Sequence, residues 1–214
     1  GTGLVGLGMG VGPLRRPFSL GPALVSPAAW KDRKVRVFHS PVQAATVKAL
    51  GADGVDASSN FDEAVRLHAL DAAEIDAAQY LRGAFGTTLP VGVSNVVLWP
   101  KMTVFVLNQH VYDSLSDEQR GWLKAAVAAG VAASTQFPYD DSAVAAQLCG
   151  SGVRFATASA AQLSDLKAAV QPVLDGLAAD PVTAPEYRAV VAAVAAHPGE
   201  DSITVPAGCA AGTR

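Results

Sequence analysis

Lys34-Val35-Arg36-Val37-Phe38-His39-Ser40-Pro41 places an arginine in the middle of a short β-branched run that feeds directly into a capped helix. A strand covered on both faces in an α/β fold reads as continuous apolar residues, so a guanidinium between Val35 and Val37 costs burial energy unless an anion meets it. Arg36 is therefore the first candidate for a ligand-binding residue. An edge strand whose arginine points to water would give the same pattern, and spacing alone leaves both readings open.

Outward from this run the order is strand, helix, strand, helix. Ser40 caps a helix with Pro41 at its first position and Gln43 as capping-box partner, and Gly51 stops it. Val42, Ala45, Ala49 and Leu50 recur at helical spacing as its expected buried stripe. A short strand over residues 54–57 precedes Ser59, which is expected to cap a helix through residue 67 with Asp62 as partner. This alternation is the signature of parallel pairing in an α/β fold. Further on, residues 91–107 read as two strands broken at Trp99-Pro100. Capping boxes at Ser116 with Gln119 and Ser159 with Gln162 open two later helices, the first ended by Pro138 and the second kinked by Pro172. A last helix covers residues 186–196, and a mobile tail is expected from Pro198. At the other end, Gly1-Thr-Gly3-Leu-Val-Gly6 spells GxGxxG, but it neither follows a strand nor opens a helix, so a loose apolar strand or linker is the better reading.

Composition narrows the function classes. Charged residues make up 16% of 214 and the formal net charge is −3, which excludes a nucleic-acid surface built on clustered Lys and Arg. Every apolar run is interrupted before the roughly 18 residues a membrane crossing requires. No basic segment followed by an apolar core marks a secretory signal within this chain. His39, His68, His110 and His197 are scattered, with none at helical metal-site spacing, so no metal and no cofactor is indicated. Cys149 and Cys209 fit neither a redox pair nor a zinc site; one disulfide and two unrelated thiols both remain open. Asp71, Glu74 and Asp76 crowd six residues, readable as acid and base groups or as a solvated terminus. Arg15 and Arg16, between Pro13 and Pro17, are either a second anion contact or surface charge.

These pieces in this order resemble the solute receptors of tripartite ATP-independent periplasmic (TRAP) transporters, the DctP-type family. Lys34-Val35-Arg36-Val37 is similar to the family's KxRV strand, preceded by Pro27-Ala-Ala-Trp-Lys31. Ser40 to Ala52 resembles the following helix with its Leu-Gly-Ala stop, Asn108 to Arg120 the strand, turn and "LSxEQ" helix start, and Val170-Gln-Pro-Val173 the late kinked helix. The likeness runs from about Pro13 to Ala196.

The resemblance implies a type II periplasmic-binding-protein fold, with one lobe nearly complete and the other partial, the N-terminal part of lobe one being absent from this chain. Residues 1–12 would be a Gly-rich lead-in, 13–100 and 141–196 lobe two, 101–140 the returning part of lobe one, and 197–214 the tail. Residues 101–140 would then lack a partner sheet, exposing Val104, Val106, Leu123 and Val127. The implied function is capture of a small organic acid outside the cytoplasm, after export on a signal not present in this chain, and delivery to TRAP permease subunits. Neither catalysis nor membrane insertion is implied. The family's strand arginine, matched by Arg36, pairs with the substrate carboxylate, and Arg16 falls where an upstream arginine also reaches ligand. Where the family carries V-D-G-x-E-N, with the asparagine touching ligand, this chain has Leu70-Asp-Ala-Ala-Glu-Ile75, so Ile75 stands at that position as a candidate ligand-binding residue. Glu74 and Trp99 are candidate wall residues. Rival readings are a sensory domain of the same fold and an enzyme using Asp71, Glu74 and His39.

Overall fold

The computed structural model describes residues 2–57, 59–137, 139–197, 199 and 202–211, so the expected stop at Pro138 and the residues Pro198, Glu200, Asp201 and 212–214 of the expected tail lie outside the described residues. The chain divides into two units, residues 1–15 with 99–140 and residues 16–98 with 141–214.

In the first unit, residues 4–15 of strand β1 (Leu4–Ser19) pair antiparallel with β6 (Trp99–Asn108), from Leu4 opposite Asn108 to Arg15 opposite Trp99. The lead-in is thus a paired strand, and residues 101–108 do have a partner within the chain, contrary to expectation. Register slips between Gly6 and Gly8 and between Val11 and Leu14, and Pro100 sits inside β6 beside the second slip, where a missing N–H disturbs the ladder least. The strand break falls instead at residues 94–98, between β5 (Val91–Val93) and β6.

The glycines of β1 have a packing reason. A Cβ on Gly8 would lie 2.7 Å from Val127 Cγ1 and 3.2 Å from Val131 Cγ2, so only glycine lets helix α6 (Asp117–Gln136) approach the ribbon this closely. Ser116 and Gln119 form the expected reciprocal capping box at its start, behind the short α5 (Gln109–Ser114). Val127 is buried and Leu123 half-buried beneath this helix, whereas Val104 and Val106, on the opposite face of β6, are 57% and 50% exposed. The anticipated apolar exposure therefore holds for two of the four residues.

The second unit is a sheet with helices. Its strand order is β3 (Asp53–Asp56), β2 (Lys34–Val37), β4 (Ala72–Asp76), the end of β1, β5, and β7 (Arg154–Ala156). β2 runs parallel to both β3 and β4, and β5 parallel to β7, while β1 is antiparallel to β5. The crossovers are α2 (Pro41–Ala49) and α3 (Phe61–Arg66). Ser40 caps α2, its hydroxyl accepting from Gln43 N at 3.4 Å, but Gln43 Oε1 turns to Phe38 N. The buried residues here are Val47 and Leu50, the latter a member of the expected stripe, while Val42 and Ala45 are exposed, since α2 packs against α8 as well as the sheet. At α3 the cap is Asn60, not Ser59, with no side-chain cap bond.

α4 (Ala77–Gly83) and α7 (Asp141–Gly150) pack together over an aromatic core. Phe18 stacks on Tyr80 with ring centroids 4.2 Å apart, and Phe155 and Phe85 meet these rings edge-on. Tyr80 donates to Leu89 O at 2.7 Å, and burial pushes its phenol well above the ordinary range. α8 (Ala160–Ala179) opens on the expected Ser159–Gln162 box and lays its stripe around buried Leu166, continuing through Pro172; α9 (Ala184–Ala196) follows.

Residues 202–211 are not a free tail. Ile203 is buried and donates to Ser94 O, Phe155 bridges Ala210, and a disulfide joins Cys149 of α7 to Cys209. The bridge resolves the two open readings of the cysteines. It closes a segment of 60 residues, which by chain entropy contributes about 4 kcal/mol. We therefore expect reduction, or the Cys149→Ser/Cys209→Ser variant, to lower the unfolding free energy by about 2–4 kcal/mol, read from chemical denaturation.

The raised phenol of Tyr80 sets a second expectation. Its neutral form is the one the fold holds, so its contribution is complete below the unfolded value near 10 and declines as pH rises above it. Urea midpoints measured across pH 9–11 should fall in the parent and fall less steeply in Tyr80→Phe.

Candidate functional site

β2 is an interior strand of the second unit, with Arg36 opposite Val55 on one side and Ala73 on the other. The edge-strand reading is thereby excluded. Arg36 is 2% exposed, and its Nη1 donates to Glu74 Oε1 from the neighbouring strand β4, where Glu74 is fully buried. The guanidinium carbon also lies 3.8 Å from the Phe38 ring centroid and 5.0 Å from that of Phe61. A strand arginine is tolerated here because an acid in the adjacent parallel strand neutralises it and two rings cover it.

The acid that Arg36 requires is thus supplied from inside the fold, which corrects the expectation that a bound metabolite alone would do so. Arg36 nevertheless lines a cavity of about 480 Å³ together with Phe38, Asn60, Phe61, Arg66 and Gln79. This cavity lies at the C-terminal ends of β2 and β4, the usual location of a ligand crevice in an open parallel sheet. Asp76 closes β4 and caps α4, its Oδ1 accepting from Gln79 N at 2.8 Å, which fixes the helix that presents Gln79. A second cleft of about 400 Å³, walled by Trp30, Leu50, Val96 and Leu166 between α2 and α8, is lined by none of the candidate residues.

The other candidates separate. Arg16 is buried, donating to Ser94 O at 2.9 Å with Asp141 Oδ2 3.5 Å away, and it does not line the cavity. It cross-links β1, the segment after β5 and the start of α7, so its assignment as an auxiliary anion contact is withdrawn. Ile75 is fully buried in the core cluster with Phe18, Tyr80 and Phe155, on the opposite side of β4 from its neighbour Glu74. Its assignment to the ligand wall is likewise withdrawn. Glu74 is the arginine's partner and has no exposed surface to offer as a wall. Trp99 is half-buried at the start of β6 in the first unit.

The acid and base trio does not assemble. Asp71 accepts from Lys34 N at 2.8 Å, Glu74 binds Arg36, and His39 stands exposed with its Nδ1 3.0 Å from Asp56. None of the three lines the cavity. Among the described residues no group of His, Cys, Asp and Glu could hold a metal ion, and no helix is long and apolar enough to cross a membrane.

The sequence reading missed Phe38, Phe61 and Gln79. The signal for Gln79 was present in Asp76-Ala-Ala-Gln79, a helix-start spacing directly after a strand. Nothing local marked the two rings, since aromatic residues at such positions usually join the core.

The family model described as "Bacterial extracellular solute-binding protein, family 7" (DctP) matches residues 3–180. Solved structures share the fold. A TRAP periplasmic solute binding protein of Shewanella oneidensis with bound succinate is 22% identical with a TM-score of 0.79, covering 89% of this chain and 63% of its own. One from Ralstonia eutropha H16 with bound (S)-2-acetolactate is 20% identical with a TM-score of 0.75, at 89% and 63% coverage. The periplasmic ectoine-binding protein of the TeaABC TRAP transporter of Halomonas elongata is 18% identical with a TM-score of 0.76, at 90% and 65% coverage. The chain therefore spans a little under two thirds of the length of these structures. No curated protein matches it.

The ion pair yields a direct expectation. Glu74→Ala removes the carboxylate from a buried guanidinium and is expected to cost about 3–5 kcal/mol in urea unfolding. The Arg36→Met/Glu74→Met pair should recover most of that loss, because two apolar side chains replace both charges.

Proposed function

The chain belongs to the bacterial extracellular solute-binding proteins of family 7, and from that membership we propose that it captures a small carboxylate-bearing organic molecule outside the cytoplasm and delivers it to the membrane permease of a TRAP-type transporter. The observation that carries this reading is Arg36, a guanidinium placed by an interior parallel strand at the wall of a cavity, held by Glu74 behind it and by two aromatic rings. An arginine whose rotamer is already set loses little freedom when it meets a carboxylate, and its planar fork matches that group.

On this reading the second unit is lobe two and the first unit the returning part of lobe one, with Trp99 kept as a candidate wall residue of the first unit. The activity is binding and release, without catalysis. The disulfide supports an oxidising compartment such as the periplasm or cell surface. The bound succinate and acetolactate of structures sharing the fold support a carboxylate as the recognised group.

Titration calorimetry with a panel of small carboxylates is the test. For any acid that binds, Arg36→Ala should weaken affinity about 30-fold or more, the equivalent of roughly 2 kcal/mol for removing one member of a buried charge pair. Arg36→Lys, which keeps the charge but loses the fork, should also bind more weakly. Unchanged affinity in both variants rejects the assignment.

A further inference from the structure

Both backbone polar groups of Phe38 are tied down by the turn that follows it. β2 ends at Val37, and Phe38, the first residue past the strand, donates its N–H to Gln43 Oε1 at 3.1 Å. Its carbonyl accepts from Ser40 N at 2.6 Å. Gln43 also donates its own backbone N–H to Ser40 Oγ at 3.4 Å, so one half-buried glutamine cinches the first turn of α2 to the end of β2. In an ordinary capping box that side chain reaches back to the N–H of the cap residue. Here it reaches two residues further, to the backbone that carries a ring. Strand alternation puts residues 36 and 38 on one side of β2, and the Phe38 ring centroid lies 3.8 Å from the Arg36 guanidinium carbon. Phe38 is 40% exposed and lines the cavity with Arg36, whereas Gln43 does not line it. A ring over the face of a guanidinium constrains the tilt of its plane, and hydrogen bonds to an acid run within that plane. The tilt therefore decides how well the fork meets a carboxylate.

We propose, resting on the reading of Arg36 as the carboxylate anchor, that Gln43 and Phe38 are positioning residues for capture: the Gln43 side chain holds Phe38, and the Phe38 ring sets the plane of the guanidinium that the acid meets. Both act through Arg36 and not on the ligand's carboxylate. The first turn of α2 thereby tunes affinity from outside the cavity, by a chain of contacts running from Gln43 to Phe38 to Arg36.

The test is titration calorimetry on the purified protein, below the melting temperature of every variant, with the panel of small carboxylates headed by succinate and galacturonate. Phe38→Leu keeps apolar bulk without the ring and should weaken any acid that Arg36 binds about five- to tenfold, while Phe38→Tyr should restore it. Phe38→Met serves if Phe38→Leu fails to melt cooperatively. Gln43→Met keeps the length without the amide oxygen and should weaken binding about threefold or more; Gln43→Glu, which keeps an acceptor, should recover most of that loss. Two double-mutant cycles read the order of action. Gln43→Met should cost less than about twofold once Phe38→Leu is present, and so should Phe38→Leu in an Arg36→Lys background, where no guanidinium plane remains to be set. A further readout needs no ligand: the NMR resonance of Arg36 Nε–H, assigned by its loss in Arg36→Lys, should move downfield in Phe38→Leu as the ring current is removed, and part of the way in Gln43→Met. Additive losses in the first cycle would overturn the role of Gln43. An undiminished Phe38→Leu loss in the Arg36→Lys background would set Phe38 against the ligand itself and overturn its positioning role, as would an Arg36 resonance unmoved by Phe38→Leu. Full affinity in Phe38→Leu and Gln43→Met, with binding still lost in Arg36→Ala, would overturn this inference and leave carboxylate capture standing. Absence of any Arg36-dependent binding across the panel would overturn both.

Discussion

A guanidinium inside a parallel sheet must be neutralised, and in this protein the Arg36–Glu74 pair does so from adjacent strands. The arrangement of the cavity wall follows from it. Next to Glu74 in β4, Ile75 enters the aromatic core, and Asp76 at the strand end caps α4. Because Arg36 is clamped between β3 and β4, its stem is fixed and its head reaches the wall where Phe38 and Phe61 cover it. A buried pair of this kind contributes little net stability, since desolvation offsets attraction, but it sets the position and direction of one charge.

Arg16 illustrates the same rule with a different outcome. It too is a buried arginine in a strand, and it too meets an acid, Asp141, together with the carbonyl of Ser94. Ser94 and Asp141 both belong to the second unit, so these contacts link segments distant in sequence. The two buried arginines differ in what lies around them: Arg36 borders the cavity and Arg16 does not line it.

Much of the secondary structure was legible because its signals are local. The Ser116 and Ser159 boxes act within four residues, and both helices begin where those spacings place them. The Leu-Gly stop after α2 is equally local, with Gly51 at positive φ. The errors arose where the deciding contact is remote. Val42 and Ala45 follow helical spacing yet face water, because packing against α8 and the sheet, not the apolar pattern alone, selects the buried residues of α2. The pairing of residues 4–15 with β6 joins the two ends of the first unit, and no short-range pattern in the glycine-rich lead-in specifies its partner.

The chain's own order of residues was enough to establish the α/β alternation, the strand that carries Arg36 and the family resemblance. Folding alone chose which acid meets Arg36, which arginine borders the cavity, that Cys149 and Cys209 lie with Cα atoms 5.7 Å apart, and that residues 202–211 pack instead of fraying. The reason is range. Helix starts and strand alternation are written over a few neighbours, whereas the partner of a buried charge or a thiol is set by packing between segments tens of residues apart.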